Sequence, residues 1–335
     1  MSAHIIRARG VNAALHAALD YLGRSGVEAD SRNGRVLAAP GPVITEYARP
    51  QERVLFCAAR NANPYFHLME AIWMLAGRED VAWLAQFNPR IKEYSDDGVR
   101  LHGAYGHRWR ARWGFDQLRL LAEHLQREPT TRRAVLAMWA ARGDLQAEEG
   151  IGGLSSKDTP CNTHIYFALR EGALEATICN RSNDAIWGAY GANAVHFSML
   201  QELMAVAIGA PVGKLYQFSN NLHVYLDLNQ LAMLWHAPID DRYESAAVAA
   251  HPMLSPGESA WAFLRDAENF CAHGARASYV TLFFQGVALP MLASWRERRA
   301  GKNDGRAALR HCYAIDWAIA AQDWIDRLEQ RKGAT

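Results

Sequence analysis

Apolar and polar residues recur along this chain with two different periods. Over Pro64–Leu75 the apolar positions Phe66, Met69, Trp73 and Met74 fall at i, i+3, i+7 and i+8, which predicts a helix stopped by Gly77. The same spacing predicts helices at Gly10–Leu22, Val81–Gln86, Phe115–Arg127, Ala194–Ile208, Glu258–His273 and Ala307–Gln330. Runs rich in β-branched and aromatic residues predict strands at Arg35–Leu37, Val43–Tyr47, Arg133–Trp139 and Lys214–Tyr225. Asn162–Leu169 and Ala173–Asn180 read as a β-hairpin closed by Glu171-Gly172. Counting outward from that turn places Cys161 opposite Ser182 and Asn162 opposite Arg181. The elements show no βαβ rhythm. The expected class is therefore α+β, a single domain over 1–335 with a mostly antiparallel twisted sheet flanked by helices.

Turn-rich segments interrupt the pattern at Ala38–Pro42, Gly143–Thr159 and Ala237–Gly257. The second ends just before Cys161 and predicts a mobile loop beside a site. Composition narrows the partners. With 50% hydrophobic residues, 21% charged residues and a net charge of +1, nothing points to nucleic-acid or membrane binding. The five cysteines are widely spaced and lack a CxxC pair, which argues against a disulfide framework or a zinc site; no metal is expected. "MSAHIIRARG" has no apolar core of a signal peptide and no apolar run is long enough to span a bilayer, so a cytoplasmic protein is expected.

Four placements carry chemistry. Glu70 sits within the apolar stripe of its helix, where a carboxylate must be paired or have a raised pKa; proton transfer and a structural ion pair are both compatible. Cys161 follows Pro160 at the mouth of a strand, beside Arg181 by the hairpin count, and a nearby guanidinium favours the nucleophilic thiolate. Cys179 lies mid-strand and reads as packing. Arg132-Arg133 ends the polar "REPTTRR" and Arg181-Ser182 ends the hairpin, and such forks suit phosphate oxygens as well as plain solvated surface. His223 and Tyr225, at i and i+2 of a strand, share a face, and Asn193 near a helix start completes a polar set suited to a sugar and a heterocycle edge.

In this order, "TTRRAVLAMW", "PCNTHIYFAL", "ATICNRSNDAIWGAYGAN" and "NNLHVY" resemble the thymidylate synthase family, which includes the pyrimidine-nucleotide hydroxymethylases. Upstream, "FHLMEAIWMLAG", "GAYGHRWR" and "DSRNGR" resemble that family's glutamate helix, tyrosine loop and early phosphate loop. The resemblance runs from about Ser31 to Tyr225, ahead of a helical part at about 258–335. It implies that Cys161 adds to C6 of a pyrimidine, that Glu70 manages protons through water, and that Asn193 reads the base edge. It further implies that Arg32, Arg181, Ser182 and, from the partner subunit of a homodimer, Arg132 and Arg133 hold the 5′-phosphate. His223 and Tyr225 would bind the sugar hydroxyl, Tyr105 would lie near the nucleophile, and Asp184 and Arg60 would contact the folate. 5,10-Methylenetetrahydrofolate is the implied co-substrate.

Departures from the synthase pattern bear on the product. Asn162 stands where synthases usually carry His, "GAYGAN" is one residue longer than the usual stretch before the base-reading Asn, and "NPRIKEYSDDG" has no Trp. The terminus "DRLEQRKGAT" looks like the end of a charged helix and not like the family's short apolar tail. A site with fewer aromatic walls and no seal admits water, which favours 5-hydroxymethylation of dUMP, with Asn162 and Glu70 as candidates to position that water. Thymidylate synthesis proper and hydroxymethylation of dCMP or CMP stay open. An Asn193 amide suits uracil, although a flipped amide would suit cytosine. Two other classes fare worse. A cysteine hydrolase would need a base such as His164, which points to the opposite strand face, and a nucleic-acid module would need a basic stripe.

Overall fold

The computed structural model of the chain describes residues 2–148 and 151–333, with burial described as far as Arg331. Residues 149 and 150 of the Gly143–Thr159 segment, and Ala334 and Thr335 of the terminal "QRKGAT", lie outside the described residues. The strands are β1 (His4–Ala8), β2 (Val27–Ser31), β3 (Gly34–Ala38), β4 (Val43–Tyr47), β5 (Val135–Ala137), β6 (Asn162–Arg170), β7 (Ala173–Asn180), β8 (Asn183–Asp184), β9 (Val212–Ser219) and β10 (Leu222–Tyr225). They form two sheets, ordered β1-β4-β9-β7-β6-β5 and β2-β3-β10-β8. The α+β class stands, but one sheet was expected and two are present. Most pairings are antiparallel, while β1–β4, β7–β9 and β8–β10 run parallel.

The reason for the second sheet lies in Asn220-Asn221. The apolar run Lys214–Tyr225 was expected to be one strand, yet it breaks at these two residues. The segment before them (β9) belongs to the large sheet and the segment after them (β10) to the small one. The chain breaks in the same way after β7, where Arg181 and Ser182 lead into β8. Two neighbouring parallel strands thus leave the large sheet at one level and re-pair as β8 and β10, with Leu222 opposite Asn183 and His223 opposite Asp184.

Helices α1 (Val11–Ser25), α2 (Pro64–Leu75), α3 (Val81–Leu84), α4 (Tyr105–Arg110), α5 (Gln117–Arg127) and α6 (Ala141–Asp144) precede the hairpin. After it come α7 (Asn193–Ile208), α8 (Leu231–Trp235), α9 (Ala260–His273), α10 (Leu289–Arg299), α11 (Arg306–Leu309) and α12 (Ile315–Gly333). The single closing helix expected at Ala307–Gln330 is split in two by Arg310–Ala314, and β1, β2 and α10 were not anticipated. The charged terminal segment is helical as far as Gly333. Every other side chain of the central strands is buried, as in Ile165, Phe167, Ala176, Ile178 and Leu215, and this face packs on α7. The opposite face carries half-buried or exposed side chains in register across strands: Val135, Tyr166, Thr177 and Tyr216 in one row, and Phe218, Ile44 and Ile5 in another.

α2 is the pivot of the helical layer. The ring of Tyr65 lies against Trp295 and Trp324, its hydroxyl meets Ser294 Oγ at 2.7 Å, and the C-terminal helices thereby pack on α2. On the other side α4 comes so close that a Cβ on Gly106 would stand 1.9 Å from the Met74 carbonyl oxygen. Tyr105, one residue earlier, is aimed by this contact. Gly106→Ala must therefore push α4 off α2. We expect it to cost about 3 kcal/mol, the upper end of ordinary overpacking, in urea unfolding monitored by circular dichroism. A loss below about 0.5 kcal/mol would show that the two helices separate freely.

Candidate active site

The hairpin register explains how the thiol is held. From His164 to Arg170 the pairing follows the count from the turn, but it slips between Asn162 and His164, so Asn162 faces Asn180 instead of Arg181. The slip leaves Arg181 N free to donate to Cys161 O at 2.9 Å. The Arg181 guanidinium then folds back over the Pro160-Cys161 turn. Its Nε donates to Pro160 O (2.8 Å), its Nη2 donates to Thr159 O (2.9 Å), and the same Nη2 lies 3.9 Å from Cys161 Sγ. Below, Tyr105 Oη accepts from both Cys161 N and Asn162 N at 3.1 Å. A cysteine fixed by its backbone on one side and by an arginine on the other is a positioned nucleophile.

The electrostatics differ from the expectation. Burial is the largest influence on the Cys161 thiol and pushes its pKa up; Arg181 and Arg32 oppose this and Asp158 adds to it. The guanidinium was expected to favour the thiolate, and it does pull in that direction, but desolvation outweighs it. Burial likewise pushes up the hydroxyl of Tyr105 and the carboxyl of Asp158, which accepts from Gly103 N at 2.8 Å. Arg32, exposed, donates to Ser156 O at 3.1 Å; Ser156 is held in turn by Asp96 at 2.7 Å. The segment expected to be mobile is thus pinned at this end. Ser182 is half-buried beside Arg181, with no hydrogen-bond partner for its hydroxyl among the described residues.

Glu70 is not where its stripe placed it. Ten residues of α2 are buried, and only Phe66 and Glu70, at i and i+4, are partly open. The carboxylate therefore looks out of the one unpacked side of an otherwise enclosed helix. There its Oε2 lies 3.3 Å from Nε2 of His196, a buried histidine that makes no well-aligned hydrogen bond. His196 stands one turn beyond Asn193 on α7, so both project from the same face. Sequence reading missed His196 because an apolar helix surrounds it. Asn162, also beside the thiol, is buried with its Oδ1 unpartnered, and buried polar atoms rarely stay so without a ligand or water.

Asn193 is brought in by a π-helical turn over Ala185–Ala192, kinked at Tyr190-Gly191. Wider π turns absorb one extra residue, which accounts for the longer "GAYGAN" stretch. Asp184 caps this turn, accepting from the backbone N–H of Ile186 and Trp187, while burial pushes its carboxyl pKa up. Arg60 closes the other end. Fully buried, it donates from Nε to Ile186 O at 2.7 Å and lies 4.2 Å from the Trp187 ring centre; burial pulls its pKa down to about 10, still cationic at neutral pH. Trp187 is 49% exposed and supplies an aromatic surface beside Arg60, where the Trp-free "NPRIKEYSDDG" had suggested fewer aromatic walls. Asn193 Nδ2 donates to Asn183 Oδ1 at 3.1 Å, deep in the protein. His223 donates from Nδ1 to Asn221 Oδ1 (2.9 Å), and its ring meets Tyr225 edge-on, as a shared strand face requires. Arg132 and Arg133 stand apart from all of this. Both are exposed before β5 at the edge of the large sheet, and among the described residues neither guanidinium has a hydrogen-bond or ion-pair partner.

Comparison with known proteins agrees with the fold. Residues 22–237 match the family model described as thymidylate synthase, and the chain belongs to that family. It is 41% identical to a deoxyuridylate hydroxymethyltransferase of Pseudomonas phage M6, over 96% of this chain and 94% of that protein. A deoxyuridylate hydroxymethyltransferase of Bacillus phage SP01 is 39% identical over 58% of this chain and 54% of its own length. The crystal structure of thymidylate synthase from T4 phage superposes with a TM-score of 0.52 at 19% identity, covering 66% of this chain and 78% of that one.

The opposing effects on Cys161 give a pH prediction. Thiolate forms only as pH rises through the raised pKa, so alkylation by iodoacetamide in a Cys179→Ala background should accelerate past the ordinary thiol value of 9.0. Arg181→Ala removes the leading stabiliser of the thiolate and should move the profile further up, slowing modification several-fold at pH 8. A profile shifted downward would mean that Arg181 exerts no useful field on the sulfur.

Proposed function

We propose that the chain is a folate-dependent deoxyuridylate hydroxymethyltransferase that adds a hydroxymethyl group to C5 of dUMP through a covalent Cys161 adduct at C6. The observation that carries this is the positioned thiol of Cys161, in a chain similar over almost its full length to a protein of that activity. C5 of uracil is a weak nucleophile. Addition of the Cys161 sulfur to C6 shifts the electron pair toward O4 and makes C5 carbanion-like, splitting one hard step into two. Burial keeps the thiol protonated in the free protein, and a phosphate neutralised by Arg32, Arg181 and Ser182 positions the ring over the sulfur.

5,10-Methylenetetrahydrofolate supplies, when bound, a carbon at the oxidation level of formaldehyde. The group fits the residues present: the buried Arg60 cation and the exposed Trp187 ring beside Asp184 offer charge and a stacking surface. The carbanion-like C5 bonds to that carbon; loss of the C5 proton then drives out tetrahydrofolate, whose nitrogen keeps the electron pair of the broken C–N bond, and an exocyclic methylene remains on the nucleotide. Water adds its oxygen to that carbon, the C6–S bond breaks, and Cys161 leaves with the electron pair. We assign the proton traffic of this step to Glu70 with His196, which face each other at 3.3 Å, and positioning of the water to the unpartnered Oδ1 of Asn162. His223 and Tyr225 take the sugar hydroxyl, and Asn193 the base edge.

We further propose a homodimer. The outward rows of Val135, Tyr166, Phe218 and Ile44 form an apolar sheet face of the kind that associating surfaces present, and the unpaired Arg132 and Arg133 at its edge are free to reach a partner's phosphate site. The packing of the C-terminal helices on α2, which carries Glu70, supports reading 1–335 as one domain. Among the described residues no helix is long and apolar enough to cross a membrane. Five free cysteines fit a reducing cytoplasm.

Incubation with dUMP and methylenetetrahydrofolate should add the mass of CH2O to the nucleotide, with tetrahydrofolate released. Addition of CH2 with dihydrofolate formation would make the chain a thymidylate synthase instead. Cys161→Ala should abolish turnover with the fold intact, whereas Cys179→Ala should retain it; activity above a few per cent in Cys161→Ala would exclude the covalent route. Mixing inactive Cys161→Ala with inactive Arg133→Ala should restore part of the activity, since a mixed dimer regains one complete site. No recovery under subunit exchange would remove Arg133 from a shared site.

A further inference from the structure

A row of three buried amides leads from the backbone to the base-reading position, and the hydrogen bonds along it leave only one way for each amide to face. The row begins at the carbonyl oxygen of Ala189, which can only accept. Gln217 Nε2 donates to it at 3.0 Å and to Tyr47 Oη at 2.9 Å, while that hydroxyl itself donates to Ala189 O. Both hydrogens of the Gln217 amide are thereby used, and its Oε1 must face Asn183. Asn183 therefore has to present Nδ2, which lies 3.4 Å from Gln217 Oε1 and 3.0 Å from Ser219 Oγ. Its Oδ1 is then turned toward Asn193, which must answer with Nδ2, at 3.1 Å. All four side chains are buried: Gln217 is 1% exposed, Asn183 and Ser219 2%, and Asn193 8%. One N–H and the Oδ1 of Asn193 remain without a protein partner among the described residues.

We infer that Gln217 and Asn183 are positioning residues that lock the amide of Asn193 with its N–H and C=O in a fixed order, and so make the site select a uracil over a cytosine nucleotide. The inference rests on the reading of Asn193 as the base reader. Uracil offers an acceptor at O4 and a donor at N3–H; a locked amide meets both with its remaining N–H and its oxygen. Cytosine offers a donor at N4 and an acceptor at N3, and needs the amide turned over. Turning Asn193 alone sets its oxygen against Asn183 Oδ1. Turning Asn183 to relieve that sets its own oxygen against Gln217 Oε1, and turning Gln217 sets two acceptors, Oε1 and Ala189 O, against each other. The conflict always ends at a backbone carbonyl that cannot change its role. An acceptor left facing an acceptor in a buried site is worth on the order of 10- to 100-fold in discrimination.

The test compares kcat/KM for dUMP and dCMP, both with methylenetetrahydrofolate, in the wild-type protein and in Asn183→Leu, Gln217→Met, Asn183→Asp and Asn193→Asp. The wild type should prefer dUMP, and equal use of the two nucleotides would already overturn the inference. Asn183→Leu and Gln217→Met free the Asn193 amide, so the preference should fall about 10-fold or more, with dCMP use unchanged or increased. Asn183→Asp keeps an acceptor toward Asn193 and should keep the preference even where thermal stability drops. If the two freeing variants lose both nucleotides in parallel, the amides are merely structural and the inference fails. If Asn193→Asp also leaves the preference unchanged, the failure lies instead with the assignment of Asn193 to the base edge. Gln217→Met is nearly isosteric and lies two side chains from the base, so it carries the comparison should Asn183→Leu fail to fold.

Discussion

The molecule is organised by the level at which two parallel strands leave the large sheet. β7 and β9 pair as far as Asn180 and Ser219, then both turn into the small sheet as β8 and β10. Pairing between β6 and β7 is disturbed at the same height, next to Cys161. A sheet that opens here leaves backbone and side-chain polar groups in the interior, and each must find a partner or cost free energy. Asn220 N donates to Asn180 O, Asn183 N to Asn221 O, and the Asn180 side chain to Phe218 O. The seam is thus stitched by asparagines whose short amides can both donate and accept. Cys161 and the amides of Asn183 and Asn193 sit along this seam, where the hydrogen bonds of the large sheet are redirected and not simply continued.

Desolvation governs the charges along that seam. It pushes the thiol of Cys161 and the carboxyls of Asp158 and Asp184 up and pulls Arg60 down, in each case against a neighbouring group of helpful sign. Perturbed groups of this kind gather at functional sites, since a pocket that favours neither charge is one that a charged ligand can reorganise. An incoming dianionic phosphate would draw on Arg32 and Arg181, the same two cations that now lower the thiol, so nucleotide binding and thiolate formation compete for one field. That competition argues for additional cations at the phosphate, the role that the proposed dimer gives to Arg132 and Arg133.

Elements with a plain period were legible in the chain. α2, β4 and β7 begin and end where their patterns do, because Asn63 before Pro64, Gly77 and Gly172 mark their limits without help from the tertiary structure. β1 and β2 were not legible: β2 is exposed throughout and carries no apolar alternation to read. The Asn220-Asn221 turn was overlooked because the apolar run continues on both sides of it. In the site, the neighbourhood of Cys161, Arg181 and Tyr105 was legible from their motifs, whereas His196 and Gln217 were not, and the contacts of Asn183 and Trp187 were not legible although both lie within "ATICNRSNDAIWGAYGAN". A buried Gln in a strand looks like a solvent-facing one when only alternation is known, and it declares itself only once Tyr47 and Ala189 are seen around it.

The π-helical turn joins these themes. An inserted residue ahead of α7 would ordinarily rotate the helix by about 100° per residue and carry Asn193 and His196 away from Asn183 and Glu70. Here the insertion is taken up before the helix begins, at Gly191, where a Cβ would lie 2.8 Å from Ile186 O and 3.2 Å from Arg60 Nη2. Arg60 fills the space that the wider turn opens and satisfies its Ile186 carbonyl. The Arg60 cation, proposed above for the folate, is therefore also the group that stabilises the distortion, and the distortion keeps the amide of Asn193 in contact with Asn183. One buried guanidinium and one glycine thus set the register of α7 and, on the proposed reading, join the folate side to the base side. A change at either should be felt at both substrates, which ties the choice of base to the geometry of the one-carbon donor's wall.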